Sequence, residues 1–196
     1  VITMNAISLI CYLAIGHAVF AFGEYLVDLA GATHHVDTAL CAFANDGLSF
    51  TRNLEYWELD ASNCVTLSAG SEFYIFSQGQ VISDAAGMAI ELELAWVDLV
   101  EVVVWLVILF FIALRIRLQD RGISSSRLLS FATTTKGVLY GILWCLAAYW
   151  AYRGHWIFAW DEALWILGFM AIGMNLSDWR KEIAQSTAHS GATSSN

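Results

Sequence analysis

Proline is missing from all 196 residues, where ordinary usage would supply about ten. Charge is scarce as well, at 14% of residues. Basic residues are the scarcest, with 9 Lys and Arg against 18 Asp and Glu and a net charge of −9. That balance removes the positive footprint a nucleic-acid partner requires. The patterns that carry catalysis are equally absent. There is no His-Glu-x-x-His helix, no Gly-x-Ser-x-Gly elbow, no phosphate-binding glycine loop and no Cys-x-x-Cys pair. The chain is therefore expected not to be an enzyme, and no cofactor is expected. Adjacent His34 and His35 with Asp37 offer metal-ligand chemistry, but a short His-His pair in a polar loop reads as solvated.

What the chain does have is apolar length. It is 58% hydrophobic with nine Trp, at a mean hydropathy of +0.60. About 20 mostly apolar residues cross the hydrocarbon of a bilayer at 1.5 Å per residue. Four stretches meet that length: Ile2 to Phe22, Ala95 to Leu114, Phe131 to Tyr152 and Trp156 to Leu176. The expected fold is an all-α integral membrane protein of four transmembrane helices with a small external segment. Its parts are helix 1 (1–30), an acidic extracytoplasmic segment (31–83), a long helix carrying the second span (84–122), a cytoplasmic loop (123–130), span three (131–152), span four (156–176) and a cytoplasmic tail (177–196). The long helix has Ser83 as its expected N-cap, Asp84 at its positive end and Gly122 as its stop. The Ser, Thr, Gly and Ala composition of Ser186 to Asn196 predicts disorder.

Lys and Arg in short connections set orientation. Arg115, Arg117, Arg121, Arg127 and Lys136 cluster between spans two and three, and Arg180 and Lys181 follow span four. Both termini are thus expected in the cytoplasm, in a plasma or inner membrane. Trp96, Trp150, Tyr152, Trp156 and Trp160 fall near the outer boundary and Trp179 near the inner one, as an interfacial belt requires. The first span lacks a basic lead and exceeds the apolar length of a secretory signal, so it is expected to be retained.

The external segment shifts to Asn, Asp, Ser, Gly and Thr and carries the acids Asp37, Asp46, Glu55, Glu58, Asp60 and Glu72 against Arg52 alone. Glu72 to Ser83 reads as two β-prone runs around Ser77 to Gln80, a hairpin signal. A segment of about 50 residues needs a staple or a partner surface, and Cys41 with Cys64 is the candidate disulfide in an oxidising compartment. Cys11 and Cys145 lie in spans and read as small hydrophobes. The layout is similar to that of claudin-like junction proteins. However, Trp57 is followed by Glu58 and only Cys64 comes after it, so that family's loop signature is missing and no family is assigned.

Ionisable residues within a span cost about 2.5 to 3.5 kcal/mol each at its centre and turn toward protein or water. Here they cluster toward the outer leaflet. His17, Glu24 and Asp28 fall within about 40° of arc on helix 1, and Glu91, Asp98 and Glu101 within about 80° on the long helix. Arg153 and His155 lie in the turn between spans three and four, beside Asp161 and Glu162, whose acids suit a helix start. Three functions fit this cluster. The first is an accessory or structural subunit of an oligomeric membrane complex, with the acids solvating helix ends or pairing with Arg153 or His17. The second is a homo-oligomeric cation channel or transport component with an acidic outer vestibule. The third is an electron-transfer subunit in which His17 and His155 ligate haem or a metal. The expected partners are the lipid bilayer and other membrane subunits or copies of the chain, with no nucleic acid.

Overall fold

The computed structural model describes residues 2–76, 80–120 and 127–171. The predicted stop at Gly122, the predicted loop residues 123–126, residues 77–79 of the predicted hairpin and the tail from 177 lie outside them. So do Arg121, Trp179, Arg180 and Lys181. The chain divides into two units, residues 1–133 and 134–196.

The first unit corrects the all-α expectation: it is mixed α/β. Helix α1 (Ile2–Ala30) leads into a cap of β1 (Thr33–His35), a 3-10 turn (Leu40–Phe43), β2 (Ser49–Arg52), β3 (Glu55–Glu58), the one-turn helix α2 (Cys64–Leu67), β4 (Phe73–Ile75) and β5 (Val81–Asp84). Helix α3 (Ala85–Asp120) then leaves the cap, and α4 (Arg127–Tyr152) begins in this unit and continues in the second. The strands form one sheet in the order β1-β4-β5-β2-β3. All pairs are antiparallel except β2 with β5. The predicted hairpin is the β4–β5 pair, Phe73 opposite Asp84 and Ile75 opposite Ile82. The other strands escape a pattern search because they are three or four residues long and show little alternation of apolar and polar residues.

Successive side chains of a strand point to opposite faces, so register sorts the cap into two layers. One face carries Phe50, Phe73 and Ile82, which join Leu40, Phe43, Leu48, Leu59 and Cys64 in a buried apolar core. Cys41 and Cys64 meet at disulfide distance beside this core, with Cα atoms 5.0 Å apart across 23 residues of sequence. The other face rests on the helix heads. There Phe76 and Val81 pack with Leu29, Tyr25 and Leu26 of α1 and with Met88 and Ala95 of α3. Helices α1 and α3 run antiparallel, tied by the Tyr12 hydroxyl donating to the Leu109 carbonyl at 3.0 Å.

A second correction concerns the spans. Among the described residues three helices are long and apolar enough to cross a membrane: Leu9–Ala30, Ala85–Leu118 and Ser130–Tyr152. The first lies within α1, which runs from Ile2 to Ala30 as expected for helix 1 and carries Glu24 and Asp28 in its last two turns. The stretch predicted as a fourth span is helical from 156 to 171, here α5, and 172–176 lies outside the described residues.

In the second unit, α4 ends in a Schellman turn. Gly154 adopts φ +88°, the His155 N–H donates to the Trp150 carbonyl at 2.9 Å, and the Gly154 N–H donates to the Ala151 carbonyl at 3.1 Å. This pattern satisfies two carbonyls that the helix end would leave open. The His155 ring lies 5.7 Å from Trp150 and 5.5 Å from Phe158, closing the turn with an aromatic contact.

A buried polar clasp between cap and helices

The most concentrated polar chemistry lies where the sheet meets α3. Glu91, one of the predicted site residues, is fully buried. Its carboxylate accepts the Leu54 N–H at 2.9 Å, the Thr51 hydroxyl at 3.3 Å and the Tyr25 hydroxyl at 3.4 Å. One side chain of α3 thereby holds β2, the β2–β3 turn and α1 together. A buried carboxylate is costly unless donors surround it, and here three converge on it.

The β2–β3 turn explains why the Leu54 donor matters. Asn53 and Leu54 have φ +58° and +57°, the pair of left-handed residues a two-residue hairpin turn requires. Asn tolerates that region; a leucine there costs about 1 kcal/mol. The Glu91 bond to the Leu54 N–H offsets the strain and fixes the turn against the helix. The usual Asn-Gly or Asp-Gly signal is replaced by Asn-Leu, so neither the hairpin nor the bond was visible in the sequence.

A second carboxylate, Asp84, closes the clasp from the start of α3. Its Oδ1 accepts the Gly87 N–H at 2.8 Å, making Asp84 the N-cap of α3. Its Oδ2 accepts the Ser68 hydroxyl at 2.7 Å and pairs with the Arg52 guanidinium. Arg52 in turn lies over the Phe50 ring at 5.6 Å. Ser83, the predicted cap, does another job: it is fully buried and its hydroxyl donates to the Thr51 carbonyl at 2.7 Å. Gly87 has no side chain because a Cβ there would stand against Ser83 Oγ and within 3.2 Å of the Thr51 carbonyl.

The other predicted site residues distribute as follows. Asp28 is buried near the end of α1, while His17 and Glu24 are exposed on it. Asp98 and Glu101 are half-buried on α3, on the face that carries Glu91 by helical spacing. The hydrogen bonds from Tyr12 to Leu109 and from Tyr25 to Glu91 bracket the level of His17 and Glu101 along the α1–α3 pair. Arg153 and His155 belong to the second unit, where the Arg153 guanidinium lies 5.9 Å from the Tyr149 ring. His17 and His155 thus fall in separate units. In the cap, the His34 ring stacks on Tyr74 at 4.4 Å and lies 4.0 Å from the Glu72 carboxylate.

The sheet has two rim strands, β1 and β3, and β3 is the one whose residues are all exposed, whereas His35 of β1 is half-buried. Tyr56 and Trp57 keep 53% and 38% of their surface open. Sequence reasoning missed Tyr25, Thr51, Arg52, Ser68 and Ser83 as functional neighbours, because each acts through a partner far away in sequence. No family model, no curated protein and no solved structure matches this chain.

Proposed function

We propose that this protein is a non-catalytic accessory subunit of a membrane assembly, anchored by its apolar helices and presenting the cap as a recognition surface. The observation that carries this reading is the use to which the buried acids are put. Glu91 and Asp84 are occupied by the chain's own donors, so the clasp holds the cap in one orientation on α1 and α3. A small domain fixed in this way suits docking. The Arg-rich connection between α3 and α4 favours the cytoplasm, which puts the acidic cap and its cysteine pair on the opposite, oxidising side. The α1 N-terminus is then cytoplasmic.

The test is the native mass of the protein solubilised gently from its own membrane. The expected result is co-migration with different chains in fixed stoichiometry. A monomer at native abundance overturns the reading. A ring of identical copies that passes cations in liposomes would replace it with cation passage.

A further inference from the structure

The proposed role leaves open which surface of the cap meets the partner and what the partner offers. The rim strand β3 decides this through its backbone. Arg52 and Glu55 flank the two-residue turn, and the register continues with Thr51 opposite Tyr56, Phe50 opposite Trp57 and Ser49 opposite Glu58. In such a hairpin the flanking pair exchanges hydrogen bonds and every second pair after it does so too. The Leu59 N–H donating to the Leu48 carbonyl at 3.0 Å keeps this phase. Glu55 and Trp57 therefore turn their backbone groups inward to β2, and Tyr56 and Glu58 turn theirs outward. The Glu58 carbonyl is taken by the Asn63 side-chain amide at 2.7 Å. That leaves the Tyr56 N–H, the Tyr56 carbonyl and the Glu58 N–H as an open ladder among the described residues.

We propose that β3 is a docking edge that accepts an extended, basic segment of a partner protein as a sixth strand of the sheet. The proposal rests on the subunit reading above and names its contact surface. Three features select the occupant. The open ladder offers main-chain pairing, the mode by which extended peptides add to sheet edges. Tyr56 and Trp57 project to opposite faces and flank the added strand with exposed aromatic surface, the residue type enriched at interfaces. Glu55 and Glu58 bracket them, Asp60 follows, and the nearby cation, Arg52, is engaged with Asp84. Lys or Arg on the incoming strand would complement that charge. A second copy of the chain fits poorly, since it would bring Glu55 and Glu58 of both strands into one short ribbon.

The test uses the full chain in phosphatidylcholine nanodiscs with two synthetic seven-residue peptides, one alternating Lys and Val and one alternating Glu and Val. Amide hydrogen exchange at Tyr56 and Glu58 should slow at least tenfold with the basic peptide and stay unchanged with the acidic one. Glu55→Lys with Glu58→Lys should reverse the preference. Tyr56→Pro removes an outward donor without touching the β2 ladder, so binding should fall at least tenfold while the Cys41–Cys64 pair and the circular dichroism persist. Equal binding of the two peptides, no slowing at Tyr56 and Glu58, or undiminished binding by a folded Tyr56→Pro chain overturns the proposal. Anionic vesicles that slow the same two amides as strongly as the basic peptide overturn it in favour of a lipid surface. The subunit reading is judged separately: an assembly that keeps its native mass with Tyr56→Pro sinks the docking edge alone, whereas a monomer in the native membrane sinks the reading on which it rests.

Discussion

The two faces of the cap sheet are held by opposite kinds of chemistry. On one, Phe50, Phe73 and Ile82 pack into a dry core beside Cys41 and Cys64. On the other, Thr51, Ser83 and Glu91 exchange hydrogen bonds at the helix heads, with Phe76 and Val81 packed alongside. The first face is non-directional and gives the small domain its cohesion. The second is directional and fixes how the domain stands on its helices. Substitutions on the first face should therefore loosen the cap itself, and those on the second should release the cap from α1 and α3 while its core persists.

The largest effect is expected at the dry face. Phe73 is fully buried, and Phe73→Ala should cost about 4 kcal/mol through lost transfer and a residual cavity. Thermal unfolding in detergent should show the cap melting well below the helices. Removing both cysteines as Cys41→Ser and Cys64→Ser should cost about 3 kcal/mol by freeing a loop of this length in the unfolded chain. A peptide map under non-reducing conditions checks the bond first, since recovery of two free thiols would remove the basis of that figure.

At the polar face, Glu91→Leu should cost about 2 kcal/mol because the buried Thr51 hydroxyl and the half-buried Leu54 N–H lose their acceptor. The distinguishing sign is location. Exchange should rise at Leu54 and across the β2–β3 turn, while the amides of β4 and β5 keep their protection. Uniform loss across all strands would break the distinction between the faces. Gly87→Ala should cost about 2 kcal/mol by forcing a Cβ against Ser83 and the Thr51 carbonyl, with the same local pattern.

These contrasts also show what a sequence reveals. Long apolar runs made legible the three helices long and apolar enough to cross a membrane, and the location of two cysteines in one weakly stabilised segment pointed to the Cys41–Cys64 pair. Glu91 stood out as a carboxylate near a span. Its partners did not, because Thr51, Leu54 and Tyr25 reach it from 40, 37 and 66 residues away. The sheet was hidden by strands too short for periodicity, and the decisive turn was hidden by a leucine where a glycine is the usual marker.

The smallest effect expected lies outside both faces, in the turn that delivers Cys64 to the core. Asp60 Oδ1 accepts the Ser62 hydroxyl at 2.6 Å, the Ser62 N–H at 2.7 Å and the Asn63 N–H at 3.0 Å. These bonds, led by the Ser62 hydroxyl, hold the Asp60 carboxyl below its ordinary value of 3.8. Because the folded value is the lower one, the stabilisation is fully present above the ordinary carboxylate range and is lost as pH falls through the folded value. Asp60→Asn keeps the shape and removes the charge. Its unfolding midpoint should sit slightly below that of the unsubstituted chain at pH 7, and the gap should narrow below pH 3.8 as the native carboxyl takes up its proton. A gap that stays constant across that range would mean the turn is held by shape alone, and would move the delivery of Cys64 from the polar to the apolar side of the comparison.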